Sequence, residues 1–153
     1  MYQVLAFVYE HYWGGDACPA LAALHRKLSS AGFKAQEVET ALLWLEDLKN
    51  AARQLQVRSP EPATASMRLF TEPEQRHLGL SGWGFLTFLA SIGTLANQEL
   101  ELVIDRAMAA PGDPVSLEDL KLIVLMVFWG LGSEPDALML DELCDDRQGR
   151  LAH

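Results

Sequence analysis

Two cysteines, Cys18 and Cys144, are all the chain contains, and neither lies in a metal-ligand or redox spacing. A disulfide framework or a zinc site has nothing to build on, and reduced thiols are expected. Long apolar runs are missing as well. The longest, Leu122 to Trp129, is eight residues, where a bilayer span needs about 20, so no membrane anchor is expected. Lys and Arg are absent before Arg26, which leaves no charged start for a secretory signal and makes the cytoplasm the expected location. Positive charge is scarce throughout: 12 Lys+Arg stand against 21 Asp+Glu, a formal net charge of −9. A whole-surface attraction to nucleic acid or to an anionic membrane is thereby excluded.

Catalytic patterns are lacking too. His11, His25, His77 and His153 fall on separate segments without a spacing that sets two ligands on one helical face. The acidic group Asp141, Glu142, Asp145 and Asp146 lacks the alternating order of a calcium loop. Gly79-Leu80-Ser81-Gly82-Trp83-Gly84 places Trp where a nucleophile elbow needs Gly, and it is not a phosphate-loop order. No catalytic residue, metal or cofactor is expected. An enzyme would have to work without a recognisable motif.

What is present is ordinary globular material: 153 residues, 50% hydrophobic and 22% charged, enough for one domain with a real core. Val4, Leu5, Val8 and Tyr12 recur at helical spacing, and Gly14-Gly15 stops that helix. Asp16 is placed to cap a second, with Leu21, Leu24 and Leu28 inward and Ala31-Gly32 as its glycine end. A third is expected over Ala35 to Ala52, facing inward through Val38, Ala41, Leu42, Leu45 and Leu48. Residues 1–52 therefore read as a three-helix unit. Over 53–70, Leu55, Val57, Met67 and Leu69 alternate with polar residues around Ser59-Pro60-Glu61-Pro62. Either a small β-hairpin, a wing on the helical unit, or a flexible tether fits that pattern.

Residues 71–153 read as a helical bundle packed on the first unit. Thr71-Glu72-Pro73-Glu74 is a capping box for a short helix to Leu78, and Gly79 and Gly82 punctuate the next start. Trp83, Phe85, Leu86, Phe88, Leu89 and Ile92 make a helix apolar around most of its circumference, hence central. Asn97 is placed to cap another, with Leu100, Val103, Ile104 and Ala107 inward and Glu99, Glu101, Asp105 and Arg106 toward water. After the Ala110–Pro114 break, Ser116 caps the most hydrophobic helix, through Trp129; a last one is expected over 135–144. The fold class is all-α with at most one small β element.

Two surfaces stand out. Leu43 lies about 140° from Val38 on a helical wheel, opposite the inward stripe, and Trp44 borders that stripe. Either the C-terminal helices cover Leu43 or a partner does, and Leu43 with Trp44 is the candidate partner surface. Arg26, Lys27, Arg53 and Arg58 form the candidate nucleic-acid patch of a winged-helix-like unit. Glu37, Glu39, Glu46 and Asp47 on the third helix oppose its entry into a phosphate-lined groove. All the net charge lies beyond residue 60, where fifteen acidic residues meet six basic ones. That acidic half suits a basic protein partner, a DNA-binding protein included.

Val4-Leu5-Ala6-Phe7-Val8-Tyr9-Glu10, Ala31-Gly32-Phe33, Ala41-Leu42-Leu43-Trp44-Leu45-Glu46, Ser66-Met67-Arg68-Leu69-Phe70, Gly84-Phe85-Leu86, Val103-Ile104-Asp105-Arg106-Ala107 and Leu120 to Val127 together resemble the bacterial Smg family along almost the whole chain. Trp83 departs from the basic residue expected before Gly84-Phe85-Leu86. The resemblance implies a small protein with no catalytic residues to carry over and an accessory role near DNA processing. Leu24, Lys27-Leu28, Gly32-Phe33, Val38, Ala41-Leu42 and Leu45 are also similar to the three-helix repeat of the RecX recombination regulators. The readings to test are a cytoplasmic, non-enzymatic adaptor, a direct DNA binder and an unmarked enzyme.

Overall fold

Helices whose apolar residues recur every three or four positions must bury those stripes against one another, and here they do so around a single apolar helix. The computed structural model describes residues 1–12, 21–57, 70–93, 95–112 and 114–131. These form α1 (Tyr2–Tyr12), α2 (Leu21–Ser30), α3 (Ala35–Val57), α4 (Glu72–Ser91), α5 (Asn97–Met108) and α6 (Leu117–Leu131). No strand occurs among the described residues. The helix expected over 135–144 and both cysteines lie outside them.

Helix α6 is the axis. It touches α1, α3, α4 and α5, and every residue from Leu120 to Phe128 is buried. Val4, Leu5 and Val8 of α1, Leu24 and Leu28 of α2, and Val38, Ala41, Leu45 and Leu48 of α3 join the same core as Leu86, Leu89, Val103 and Ile104. One apolar cluster thus runs through the described helices from both halves of the chain.

Local chemistry sets the helix ends. At the end of α2, the Gly32 N–H donates to the Ser29 carbonyl (3.2 Å) and the Phe33 N–H to the Leu28 carbonyl (3.3 Å). This is the glycine-terminated motif in which Gly32, at φ 97°, takes a conformation that side chains resist. Phe33 then turns inward and meets Phe7 edge to face, ring centroids 5.5 Å apart. The capping box of α4 forms as its residues require: the Glu74 N–H donates to Thr71 Oγ1 (3.4 Å), and the Thr71 N–H donates to Glu74 Oε2 (3.0 Å). Ser116 caps α6 by accepting from the Asp119 N–H (3.2 Å).

Several expectations are corrected. The hairpin over 53–70 is not supported: α3 runs on from Ala52 to Val57, and residues 58–69 lie outside the described chain. The cause is spacing. Leu48, Ala52 and Leu55 fall on one helical face, with Ala52 buried and Leu55 packed against the core, so continued helix buries what a strand would expose. Asn97 does not cap α5; Ala96 holds that position without a side-chain bond. Arg106 does not face water, being 8% exposed.

Helix α4 is not central either. Gly79, at φ 72° and ψ 169°, breaks it into 72–78 and 80–91, a backbone geometry that glycine alone adopts readily. Leu78, Gly82, Leu86 and Leu89 are buried, and the helix packs on α5 and α6. Its opposite side faces out.

A candidate partner surface on helix α4

The pair singled out on α3 divides sharply. Leu43 is 62% exposed and Trp44 3%, so Trp44 belongs to the core and Leu43 stands on the surface without it. The C-terminal helices do not cover Leu43, because α5 and α6 pack against the inward side of α3, where Trp44 lies. Trp44 Nε1 donates to the Arg106 carbonyl (3.0 Å), and Arg106 Nη1 returns a bond to the Trp44 carbonyl (3.5 Å). The guanidinium also lies 5.9 Å from the Trp44 ring centroid and pairs with Asp105 at 2.8 Å. A buried charge is stable only when it is paired and hydrogen-bonded in this way.

Arg106 sits in the last turn of α5, where backbone carbonyls lack partners inside the helix. Other helices supply the donors. His77 Nε2 lies 2.9 Å from the Ala107 carbonyl and 3.0 Å from that of Ala110; since both groups only accept, Nε2 carries the proton. The Tyr2 hydroxyl donates to the Pro111 carbonyl (2.5 Å). Burial, and secondarily the Asp119 carboxylate, push the Tyr2 phenol far above its ordinary range, so it stays a donor. The His77 carbonyl accepts from the Val115 N–H (2.7 Å). Side chains of α1, α3 and α4 therefore converge on the C-terminal end of α5 and the turn after it. Sequence reading missed this role of Tyr2, His77 and Arg106, whose partners are 30 to 109 positions away.

Only part of the basic patch lies on the described helices. Arg26 and Lys27 are exposed on α2 and Arg53 is exposed on the extended end of α3, while Arg58 lies outside the described residues. Among the described residues, no group of three or more His, Cys, Asp or Glu is placed to hold a metal ion. None of the described helices is long and apolar enough to cross a membrane.

Among the described residues, the largest apolar outcrop includes Phe88 and Ile92, which the spacing alone had placed inside. On α4, Leu80 is 84% exposed and Phe88 53%, and Ile92, which caps the end of the helix, is 57% exposed, with Trp83 partly exposed beside them. Leu80, Phe88 and Ile92 stand at multiples of four residues, so they line one side of the helix. From Leu78 to Gln98 no residue is charged. Trp83 is steadied by Phe70, ring centroids 6.3 Å apart at 80°. A row of three large apolar side chains in water, free of charge along its length, is the kind of patch that marks an interaction surface. The missed signal was that absence of charge, which periodicity attributes to burial.

The comparisons place the whole chain. The family model described as "protein of unknown function (DUF494)" matches residues 1–153. The chain is 51% identical over 153 residues to the "Protein Smg homolog" of Methylibium petroleiphilum and 50% identical to that of Leptothrix cholodnii, each covering 100% of both chains. It is 40% identical to the "Protein Smg homolog" of Bordetella pertussis, again with 100% of both chains covered. No solved structure matches. The full-length family match and these identities agree with the resemblance carried by the residues: the chain belongs to the DUF494 family, to which it is joined through the Smg homologs.

Proposed function

We propose that this protein is a non-enzymatic adaptor that binds another protein through the outer face of α4. The observation that carries the reading is the exposed row Leu80, Phe88 and Ile92 on a charge-free stretch. Apolar side chains kept in water along three helical turns give up favourable burial that a partner restores. The reading replaces the Leu43/Trp44 surface, since Trp44 is occupied in the core. Two of the polar side chains with the most specific surroundings, His77 and Arg106, hold structural hydrogen bonds across the helices. An accessory role beside DNA-handling proteins, the setting implied by the family resemblance, is compatible with a protein-binding face.

The test is site-specific photo-crosslinking in cells. A benzophenone side chain at position 88 is expected to capture a protein, and one at position 39, exposed on α3, is expected not to. Equal capture from both positions, or none from 88, overturns the reading.

A further inference from the structure

We propose that the α4 face seats a second copy of this chain, the two α4 helices running in opposite directions with Phe88 of each lodged over Gly84 of the other. This inference rests on the reading of the face as a docking surface and adds what covers it when no other partner does. Shape, charge and area on α4 carry it.

Leu80, Gly84, Phe88 and Ile92 stand four residues apart in one row. Gly84 is the gap in that row. It is exposed, it lies in regular helix, and a Cβ placed on it meets nothing within 4 Å among the described residues. Gly82, two positions earlier, is different: a Cβ there would come within 3.0 Å of Leu120 on α6. The packing of the described helices thus requires Gly82 and does not require Gly84, although a glycine inside a helix costs stability relative to alanine. Two-fold symmetry gives the gap a use. The row is symmetric about its midpoint, so a copy turned end for end sets Phe88 against Gly84 and Leu80 against Ile92, each contact made twice. Ridges of residues four apart are the ones that most commonly interlock when two helices cross.

Charge points the same way. Leu78 to Gln98 is the longest stretch of the sequence without a charged side chain. In a symmetric pair each α4 meets its own twin, so a charge near the axis would meet its like, and this helix places none there. Two hydroxyls on the same helix are also occupied: Thr87 Oγ1 donates to the Trp83 carbonyl (2.8 Å) and Ser91 Oγ to the Phe88 carbonyl (2.7 Å). The face therefore asks for an occupant that is apolar and uncharged along its length, and its own twin is one.

At their exposures, Leu80, Trp83, Phe88 and Ile92 leave roughly 450 Å² in water on each copy, so pairing removes about 900 Å². That is the low end of specific interfaces, and the dimer is accordingly weak and concentration-dependent. A weak pair suits a docking face: it keeps the row out of water and yields by mass action to a partner that binds more tightly.

Sedimentation equilibrium of the full chain under reducing conditions is expected to show monomer and dimer in exchange, half-associated between about 10 μM and about 1 mM. Phe88→Ser removes the knob and Gly84→Leu fills the gap; each is expected to weaken the dimer about tenfold or more. Gly84→Leu is the sharper variant. It adds apolar surface yet blocks the seat, and in the single chain it replaces a helical glycine without a clash, so its urea midpoint is expected to rise. Association that holds or tightens in Gly84→Leu reflects unspecific stickiness and overturns the proposal. A chain that stays monomeric to about 1 mM overturns it too, as does a dimer that Phe88→Ser leaves intact. If the chain is monomeric while position 88 still crosslinks to a different protein, the second copy is wrong and the docking reading stands. If the dimer forms as described and position 88 captures only this chain, the adaptor reading fails and the pairing stands.

Discussion

From Leu120 to Phe128 every residue of α6 is buried, Lys121 included, whereas α4, which carries no charged side chain beyond Arg76, leaves Leu80, Phe88 and Ile92 in water. Both helices carry a long stretch without charge pairs, α6 the more hydrophobic of the two, and their surroundings are opposite. Helix α6 is enclosed because α1, α3, α4 and α5 all pack on it; α4 packs on α5 and α6 and presents its other side to solvent. Hydrophobicity all round a helix therefore says that the helix will be covered, and leaves open whether the cover belongs to the same chain.

The sharpest way to break that contrast is to truncate one side chain on each helix. Leu125→Ala in α6, which opens space inside the core, is expected to lower unfolding free energy by about 2–5 kcal/mol. Phe88→Ser on α4 is expected to change it by less than ~0.5 kcal/mol. Urea unfolding measures both, and a comparable loss in Phe88→Ser would make the α4 face part of the core.

The same comparison can be sharpened at neighbouring positions on α3. Trp44→Phe keeps the ring and removes the N–H, leaving the Arg106 carbonyl short of its donor, and is expected to destabilise by about 1–3 kcal/mol. Leu43→Ser, one position away and exposed, is expected to stay within ~0.5 kcal/mol. Equal effects of the two would contradict the burial that separates them.

The smallest effect belongs to Glu99, at the start of α5. Burial raises its carboxyl above the ordinary range, a shift partly offset by a backbone hydrogen bond at Ala96. A raised folded-state pKa means that this group's stabilising contribution is full below the unfolded pKa and is lost as pH rises through the folded value. Glu99→Gln is expected to flatten stability against pH over that window and to gain less than ~1 kcal/mol near neutrality, since solvent screens a half-buried group. Denaturant midpoints from mildly acidic to neutral pH test it; a variant with a steeper dependence than the parent would refute the cause assigned.

Short-range features were legible in the sequence because they are settled by neighbours along the chain. The Thr71–Glu74 capping box, the Gly32 terminus and the Ser116 cap each need only a few adjacent residues, and the stripes Val4-Leu5-Val8 and Val38-Ala41-Leu45-Leu48 need only one helical period. The family was legible too, through several short stretches that are specific only in combination. What failed was decided across the chain. Alternation at Leu55 and Val57 imitates a strand, but Ala52 and Leu55 gain burial by continuing α3. Arg106 looked solvated because the ring and carbonyl that accept it lie 62 positions earlier. Phe88 and Ile92 looked internal because a single sequence does not state how many neighbours a helix will have.

The convergence of Tyr2, Trp44 and His77 on the end of α5 bears on how the molecule opens. If α3 or α4 lifted away alone, the Arg106 carbonyl in the core and the part-buried carbonyls of Ala107 and Ala110 would lose their donors. Fluctuations that release one helix at a time are thereby suppressed relative to wholesale unfolding. Amide hydrogens of α3, α5 and α6 are accordingly expected to exchange with solvent as one cooperative unit, while those on the exposed side of α4 exchange sooner.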